Sequence, residues 1–348
     1  KPQIDYWGSA LIVAAVTVLL LWLSFVGTAF PWLSWQSALM VGGAVIGTVV
    51  FVLVELRVPE PVVPMWIITE RTTALSIVAS FAVGVVMFAV PVFLGQYFQI
   101  GRGYGPAASG LLMVPMMLGV FLASTIAGRL VSRRGTWKRY VVGGISVQAA
   151  GVLLMATVLV DTPLWLLAIY FVLIGVGQGA SMQNLVLAVQ NTVPLKDMGA
   201  ASSAVAFFRS LGGAIGVQVL GAILSIRIAT LTTERLRAAG IPGSAVADAD
   251  ELDVAALPDA AEEIVRSAYG DGMALIFLIM GALAVIALLA TIAMRNSTLR
   301  NTVDLEVKRA VEEASEPGGT VREGSVRDAE DLSRPAPDEH DDDGAGSR

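Results

Sequence analysis

Eight stretches of the chain stay apolar for roughly 20 residues, the length an α-helix rising about 1.5 Å per residue needs to cross a hydrocarbon core about 30 Å thick. They run approximately over residues 8–28, 36–55, 72–95, 106–127, 140–160, 164–190, 200–225 and 272–294. Because backbone groups in lipid must satisfy one another, the pattern predicts an all-α, polytopic membrane protein with eight transmembrane helices. The first stretch has no short apolar core ending in a small-residue cleavage site, and further spans follow at once, so it reads as a span rather than a signal peptide. The chain opens at Lys1, and the expectation is the later part of a longer protein.

The polar connections divide the chain. Residues 1–58 hold two spans; residues 59–71 form a connector in which Pro59, Pro61 and Pro64 forbid a continuous helix. Residues 72–294 hold six spans and an external loop at 226–271, in which Pro258 and the acidic run Asp259, Glu262, Glu263 start a short amphipathic helix through Tyr269. Residues 295–348 have too few large apolar side chains to build a core, so a disordered tail is expected. Orientation follows from basic residues in short loops. Arg57, Arg71, Arg129, Arg133, Arg134, Lys138, Arg139 and Lys196 follow even-numbered spans, whereas the short odd-numbered connections hold only Arg102. Both ends of the chain are then cytoplasmic and the protein lies in the cytoplasmic (inner) membrane. Trp7, Trp32, Trp35, Trp66, Trp137 and Trp165 fall at span ends, at headgroup level.

Composition agrees: 55% of the 348 residues are hydrophobic and 15% charged, with mean hydropathy +0.71. The net charge of −6 is not one field. Residues 295–348 carry 8 basic and 14 acidic side chains and residues 226–271 carry 4 and 9, which leaves 11 basic and 6 acidic in the membrane body. No basic surface remains for a nucleic-acid partner once the loops are assigned. The absence of cysteine and the single His340 remove thiol nucleophiles, Cys/His zinc sites and haem ligation, so neither cofactor nor metal is expected. With no paired carboxylates in a span and no nucleophile beside a base, an enzyme is not expected either. Lys1, Lys138, Lys196 and Lys308 all lie outside the spans, which excludes a retinal Schiff base.

Within the spans Arg209 is the informative charge, near the middle of the seventh, where insertion costs about 2.5–3.5 kcal/mol. Ser202, Ala206, Arg209, Gly213 and Gly216 fall on one helical stripe, and Ala204, Phe208, Leu211, Ile215 and Val219 on the opposite one, which reads as the lipid side. Arg209 either locks two helices or lines a transport cavity; the readings coexist. The sixth span adds Gln178, Ser181, Gln183 and Asn184, with Gln148 and Gln218 on the fifth and seventh. These are polar glue between helices or the lining of a wet cavity. Gly175, Gly177, Gly179, Gly212, Gly213 and Gly216 lie in apolar helical runs and read as close-packing positions rather than phosphate loops. Pro91 and Pro115 predict kinks in the third and fourth spans.

The connection GRLVSRRGTWKR, through Gly128, Arg133, Gly135, Lys138 and Arg139, resembles the GxxxDRxGRR gating loop of the major facilitator superfamily, with Ser132 at the acidic position. VELRVPEPVVP, YGPAASGLLMVPMMLG, DTPLWLL and MGAASSAVAFFRSLGGAIGVQVLG extend the likeness over residues 1 to about 295. In this order they resemble the fourteen-helix drug:proton antiporters of the EmrB/QacA type. The resemblance implies a major facilitator-type helical bundle: two linker helices (1–58) and a C-terminal six-helix bundle (72–294), whose partner is a missing N-terminal six-helix bundle. It implies proton-coupled export of hydrophobic or cationic small molecules, with protons and the lipid bilayer as further partners. The alternatives are an exporter of one metabolite, lipid or peptide, and a multi-span receptor or scaffold without transport.

Overall fold

The computed structural model describes residues 6–27, 29–58, 65–159, 161–194, 197–241 and 259–295. The prolines of the 59–64 strap, Lys196, residues 242–258 with Pro258, and the tail from residue 296 lie outside them. Among the described residues the chain is helical. The elements are α1 (Tyr6–Phe25), α2 (Trp35–Glu55), α3 (Met65–Thr69), α4 (Arg71–Gln96) with a π-helical turn (Tyr97–Gly101), α5 (Pro106–Leu112), α6 (Val114–Arg134), α7 (Lys138–Met155), α8 (Leu164–Gln190), α9 (Met198–Ala238) and α10 (Asp259–Ala293).

Seven of the eight expected spans are helical segments long and apolar enough to cross a membrane. The eighth, α7, has only 18 residues and opens on Lys138 and Arg139. Its apolar demand is lower because it is enclosed, with Val141, Ile145 and Val152 fully buried, between α8 and α10. The fourth span is two helices that break at Met113. Pro115 has no N–H to give and its ring crowds the carbonyl of Leu111, which ends α5. Pro91 is carried inside α4 without ending it.

Glycines set the helix spacing. A Cβ on Gly175 of α8 would lie 2.1 Å from the Met116 carbonyl oxygen of α6, and one on Gly84 of α4 would lie 2.1 Å from the Arg209 carbonyl oxygen of α9. These are backbone-to-backbone crossings, the packing that small residues permit where lipid supplies no hydrophobic drive between helices. The α1–α2 hairpin touches this bundle through α1 and α9, where Gln218 Nε2 donates to Ser24 Oγ (3.3 Å). Leu39, Ile46, Val49 and Leu53 of α2 are exposed, a surface suited to acyl chains.

The segment 226–271, read as a loop with a short helix over 259–269, is helical at both ends, the second stretch where that helix was expected. α9 continues to Ala238 and α10 begins at Asp259, so α9, with 41 residues, is about 60 Å long, twice a hydrocarbon core. The hydropathy pattern stops where charge appears, but the chain between 226 and 238 contains no glycine or proline to stop a helix. The two extensions pack on each other and on the π-turn through Ile100, Leu236, Ala261 and Val265. Arg235 pairs with Asp271 and donates to Ser267 Oγ (2.6 Å).

At the opposite end, two cations hold the last turn of α10. Lys138 Nζ donates to the carbonyls of Ile292 (2.8 Å) and Met294 (2.5 Å), and Arg71 Nη2 donates to that of Ala293 (3.2 Å). A helix end leaves such carbonyls unpaired and carries partial negative charge, so both cations act as caps. Lys138→Ala should lower stability by about 1–2 kcal/mol. Hydrogen exchange would show the loss as faster exchange in the last turns of α10, with α9 unchanged.

Candidate functional site

Polar side chains gather where α8 passes between α7 and α9. Gln148 and Arg209 each lie about three turns from the starts of α7 and α9, and Ser181 about as far from the end of α8, so the antiparallel course brings them to one level. The α7–α8 approach is tightest there: a Cβ on Gly177 would fall 2.4 Å from Gln148 Cβ, and one on Gly144 would fall 3.3 Å from the Ser181 nitrogen. Gln148 and Ser181 are 0% exposed, Asn184 4%, Arg209 7% and Gln178 8%.

Two of these groups bond within their own helix. Ser181 Oγ donates to the Gln178 carbonyl (3.3 Å), and Asn184 Nδ2 donates to the Ala180 carbonyl (2.7 Å). Arg209 reaches across: its Nη2 donates to the Met182 carbonyl of α8 at 3.4 Å. Among the described residues its Nε has no partner, nor has either amide atom of Gln148. A guanidinium held by one long bond to a neutral carbonyl, away from water, keeps most of its charge uncompensated. The arrangement can therefore attract an anion, a carboxylate or water, and it repels a bare cation at close range.

The other sequence candidates divide. Gln183 and Gln218 are exposed, Gln183 on the face of α8 away from α7 and Gln218 toward α1. The expected stripe of α9 is turned by part of a residue step. Ala204 is buried and Ala206 exposed, because the glycine crossing onto α4 at Gly84, Phe81 and Gly212 sets the rotation. In the basic loop, Gly135 caps α6 in the left-handed region (φ 61°), a conformation glycine adopts without strain. Lys138 is committed to α10, Arg139 stacks 5.1 Å from the Tyr140 ring centroid, and Arg133 and Gly128 are exposed. Trp137 is 0% exposed, at the start of α7, so its ring packs against protein.

Two α4 hydroxyls were not anticipated. Thr73 and Ser80 are 0% exposed, and among the described residues neither hydroxyl has a partner. They belong to a set of buried hydroxyls, Thr72, Thr73, Ser76 and Ser80, spaced three and four residues apart along one face of α4, a periodic signal that the sequence does carry. Tyr97, also missed, had an indirect signal in Arg102, the exception to the loop-charge pattern.

A family model described as Major Facilitator Superfamily matches residues 5–217. The chain is 33% identical over 307 residues to the MFS-type transporter Rv1877 of Mycobacterium tuberculosis (strain H37Rv), covering 87% of this chain and 44% of the relative. It is 34% identical over 232 residues to the multidrug transporter protein MdtP of Bacillus subtilis, covering 67% and 43%. It is 29% identical over 221 residues to a tetracycline resistance determinant of Streptomyces rimosus, covering 63% of each. The chain thus spans about half the length of the relatives it matches. In fold it is similar to a bacterial homolog of the human lysosomal transporter Spinster in an inward-facing, occupied conformation, with TM-score 0.51, 16% identity, and coverage of 81% of this chain and 64% of that one.

Proposed function

Because the chain belongs to the Major Facilitator Superfamily, we propose that this multi-pass membrane protein is part of a proton-coupled exporter of hydrophobic or cationic small molecules. α1 and α2 are the linker helices of a fourteen-helix antiporter of the EmrB/QacA type, and α4 to α10 are its C-terminal six-helix bundle. An N-terminal six-helix bundle is the partner against which this one rocks, so that a cavity between them opens to one side of the membrane and then the other. The chain ends lie on the cytoplasmic side of the cytoplasmic membrane, with the loop Gly128, Arg133, Gly135, Lys138, Arg139 as the cytoplasmic gate. The observation that carries the reading is the level of buried polar groups on α7, α8 and α9, since such groups in apolar spans mark substrate and ion pathways. Arg209, Gln178, Ser181, Asn184 and Gln148 supply that level, Gln183 extends it onto an exposed face, and Gln218 lies about 13 Å further along α9, against Ser24.

In this reading the proton is carried by a carboxylate outside the described spans, and Arg209 holds that carboxylate ionised when the two approach. A lipophilic cation repelled by Arg209 enters the cavity when the carboxylate faces it instead. The test is flux of tetraphenylphosphonium in vesicles carrying the protein as the cell makes it. Uptake that requires an imposed pH gradient and collapses with a protonophore is expected. Flux indifferent to the gradient, or no flux with lipophilic cations, would overturn the assignment.

A further inference from the structure

The Arg102 end of α4 is held by contacts that the polar level does not use. After Gln96 the helix widens into the π-turn Tyr97–Gly101, a distortion with poorer hydrogen-bond geometry that re-aims side chains and recurs at functional positions. It turns Tyr97 inward, 1% exposed, edge-on to Phe98 with ring centroids 5.4 Å apart. The Tyr97 hydroxyl donates to the Leu159 carbonyl (2.8 Å) and accepts from Arg102 Nε (3.0 Å). Arg102 Nη2 donates to the carbonyls of Thr162 and Leu159 (3.4 Å), and the guanidinium carbon lies 5.3 Å from the Tyr97 ring centroid. Leu159 N–H donates to Thr162 Oγ1 (2.9 Å), which closes the acceptor turn and presents both carbonyls to one cation. One side chain thereby ties the end of α4 to the turn between α7 and α8.

The same end also meets α10. Gly103 has φ +70°, and a Cβ there would lie 3.0 Å from Arg266 Nη1; Arg266 is paired with Glu262 at 2.6 Å. Below these contacts Pro91 lies inside the continuous α4 and, lacking an N–H, leaves the Met87 carbonyl without its i+4 donor, a compliant point in an otherwise stiff rod.

We propose that Tyr97 and Arg102 form a reversible latch that closes this end of the bundle, and that α4 beyond Pro91 moves away from the α7–α8 turn when the latch releases. The proposal rests on the alternating-access reading for its use in a cycle, though not for its existence. Its chemistry suits repeated opening. Every acceptor is a neutral oxygen and Arg102 is half-buried, so water replaces each bond as it breaks and the net cost is small. A buried carboxylate partner would strand two charges on opening. The latch therefore biases the closed state by a modest factor, as a step that recurs in every turnover requires.

The chain holds no cysteine, so thiol reporters read cleanly within it. Val158, 5% exposed, lies behind the latch; Val141, 0% exposed, lies at the other end of α7. In the protein as the cell makes it, with thiols outside this chain replaced, Val158→Cys and Val141→Cys are labelled separately by a membrane-permeant maleimide. Tyr97→Phe and Arg102→Gln should each raise labelling of the first reporter by about tenfold and leave the second unchanged, because each removes one or two of the closing bonds. Arg102→Lys, which keeps the charge and a donor, should give an intermediate rate. Unchanged labelling at Val158→Cys overturns the proposal, and so does an equal rise at both reporters, which is general loosening. The measurement needs neither substrate nor gradient. A positive labelling result without any flux therefore keeps the latch and removes the exporter reading.

Discussion

Gly84→Ala will prevent normal assembly of the bundle, whereas Gly128→Ala and Gly221→Ala will leave it at least as stable as before. All three replace a helical hydrogen by a methyl, so helix propensity alone predicts a gain of up to about 1 kcal/mol at each. Surroundings decide otherwise at Gly84, where the new carbon would lie 2.1 Å from the Arg209 carbonyl oxygen, 2.9 Å from its carbon and 3.0 Å from its Cα. Nothing lies within 4 Å of a Cβ at Gly128 or Gly221. Backbone on both sides cannot rotate aside as a side chain can, so α4 and α9 must part by more than 1 Å to reach ordinary contact at about 3.5 Å. Overpacking of this kind costs about 1–3 kcal/mol where side chains can adjust, and more where they cannot. Thermal unfolding in detergent would show a lowered midpoint or no folded protein for Gly84→Ala beside unshifted controls. A midpoint equal to that of Gly128→Ala would refute the backbone crossing.

Arg209→Leu should separate stability from transport. Removing the guanidinium ends a mid-helix insertion cost of about 2.5–3.5 kcal/mol and gives up one 3.4 Å bond to the Met182 carbonyl. Abundance and unfolding midpoint should therefore stay level or rise. If the chain is part of the proton-coupled exporter proposed above, gradient-driven export should fall at least about tenfold, since an interaction worth about 1.4 kcal/mol or more would be missing from the cycle. A purely architectural arginine predicts the reverse, with stability lowered and the turnover of surviving protein unchanged. Gln148→Leu supplies the reference. Two unpaired amide atoms disappear from a 0% exposed site, and removing unpaired polar groups is neutral to stabilising.

Much of the helical course was legible because the bilayer imposes one strong rule: apolar runs about 20 residues long become helices. What the rule does not encode was misread. It gives no instruction where a helix leaves the lipid, so the continuation of α9 past residue 225 looked like a loop, although no residue before Gly240 breaks it. Nor does it encode rotation. Arg209 was recognisable because a charge in an apolar run is conspicuous, but which neighbours share its face depended on the crossing of α4 at Gly84, a contact between distant parts of the chain. Trp137 shows the same limit from the other side. Tryptophan at a span end suggests a ring open to the headgroups, but this one is 0% exposed and packs against protein, which its position along the chain does not reveal. The Arg102 contacts to the α7–α8 turn escaped because their acceptors there are backbone carbonyls, which every residue has and no pattern reveals.

The clamp on the last turn of α10 also bears on how the protein is made. Arg71 and Lys138 emerge from the ribosome more than 150 residues before the carbonyls that receive them. Until α10 is synthesised, the faces of α4 and α7 that it covers, including Ser76 against Met294 and Leu153 against Gly281, have only lipid or one another. The packing around α4 and α7 is therefore complete only once the last helix is in place. A chain that stops before α10 leaves both cations without these acceptors and these faces without their cover.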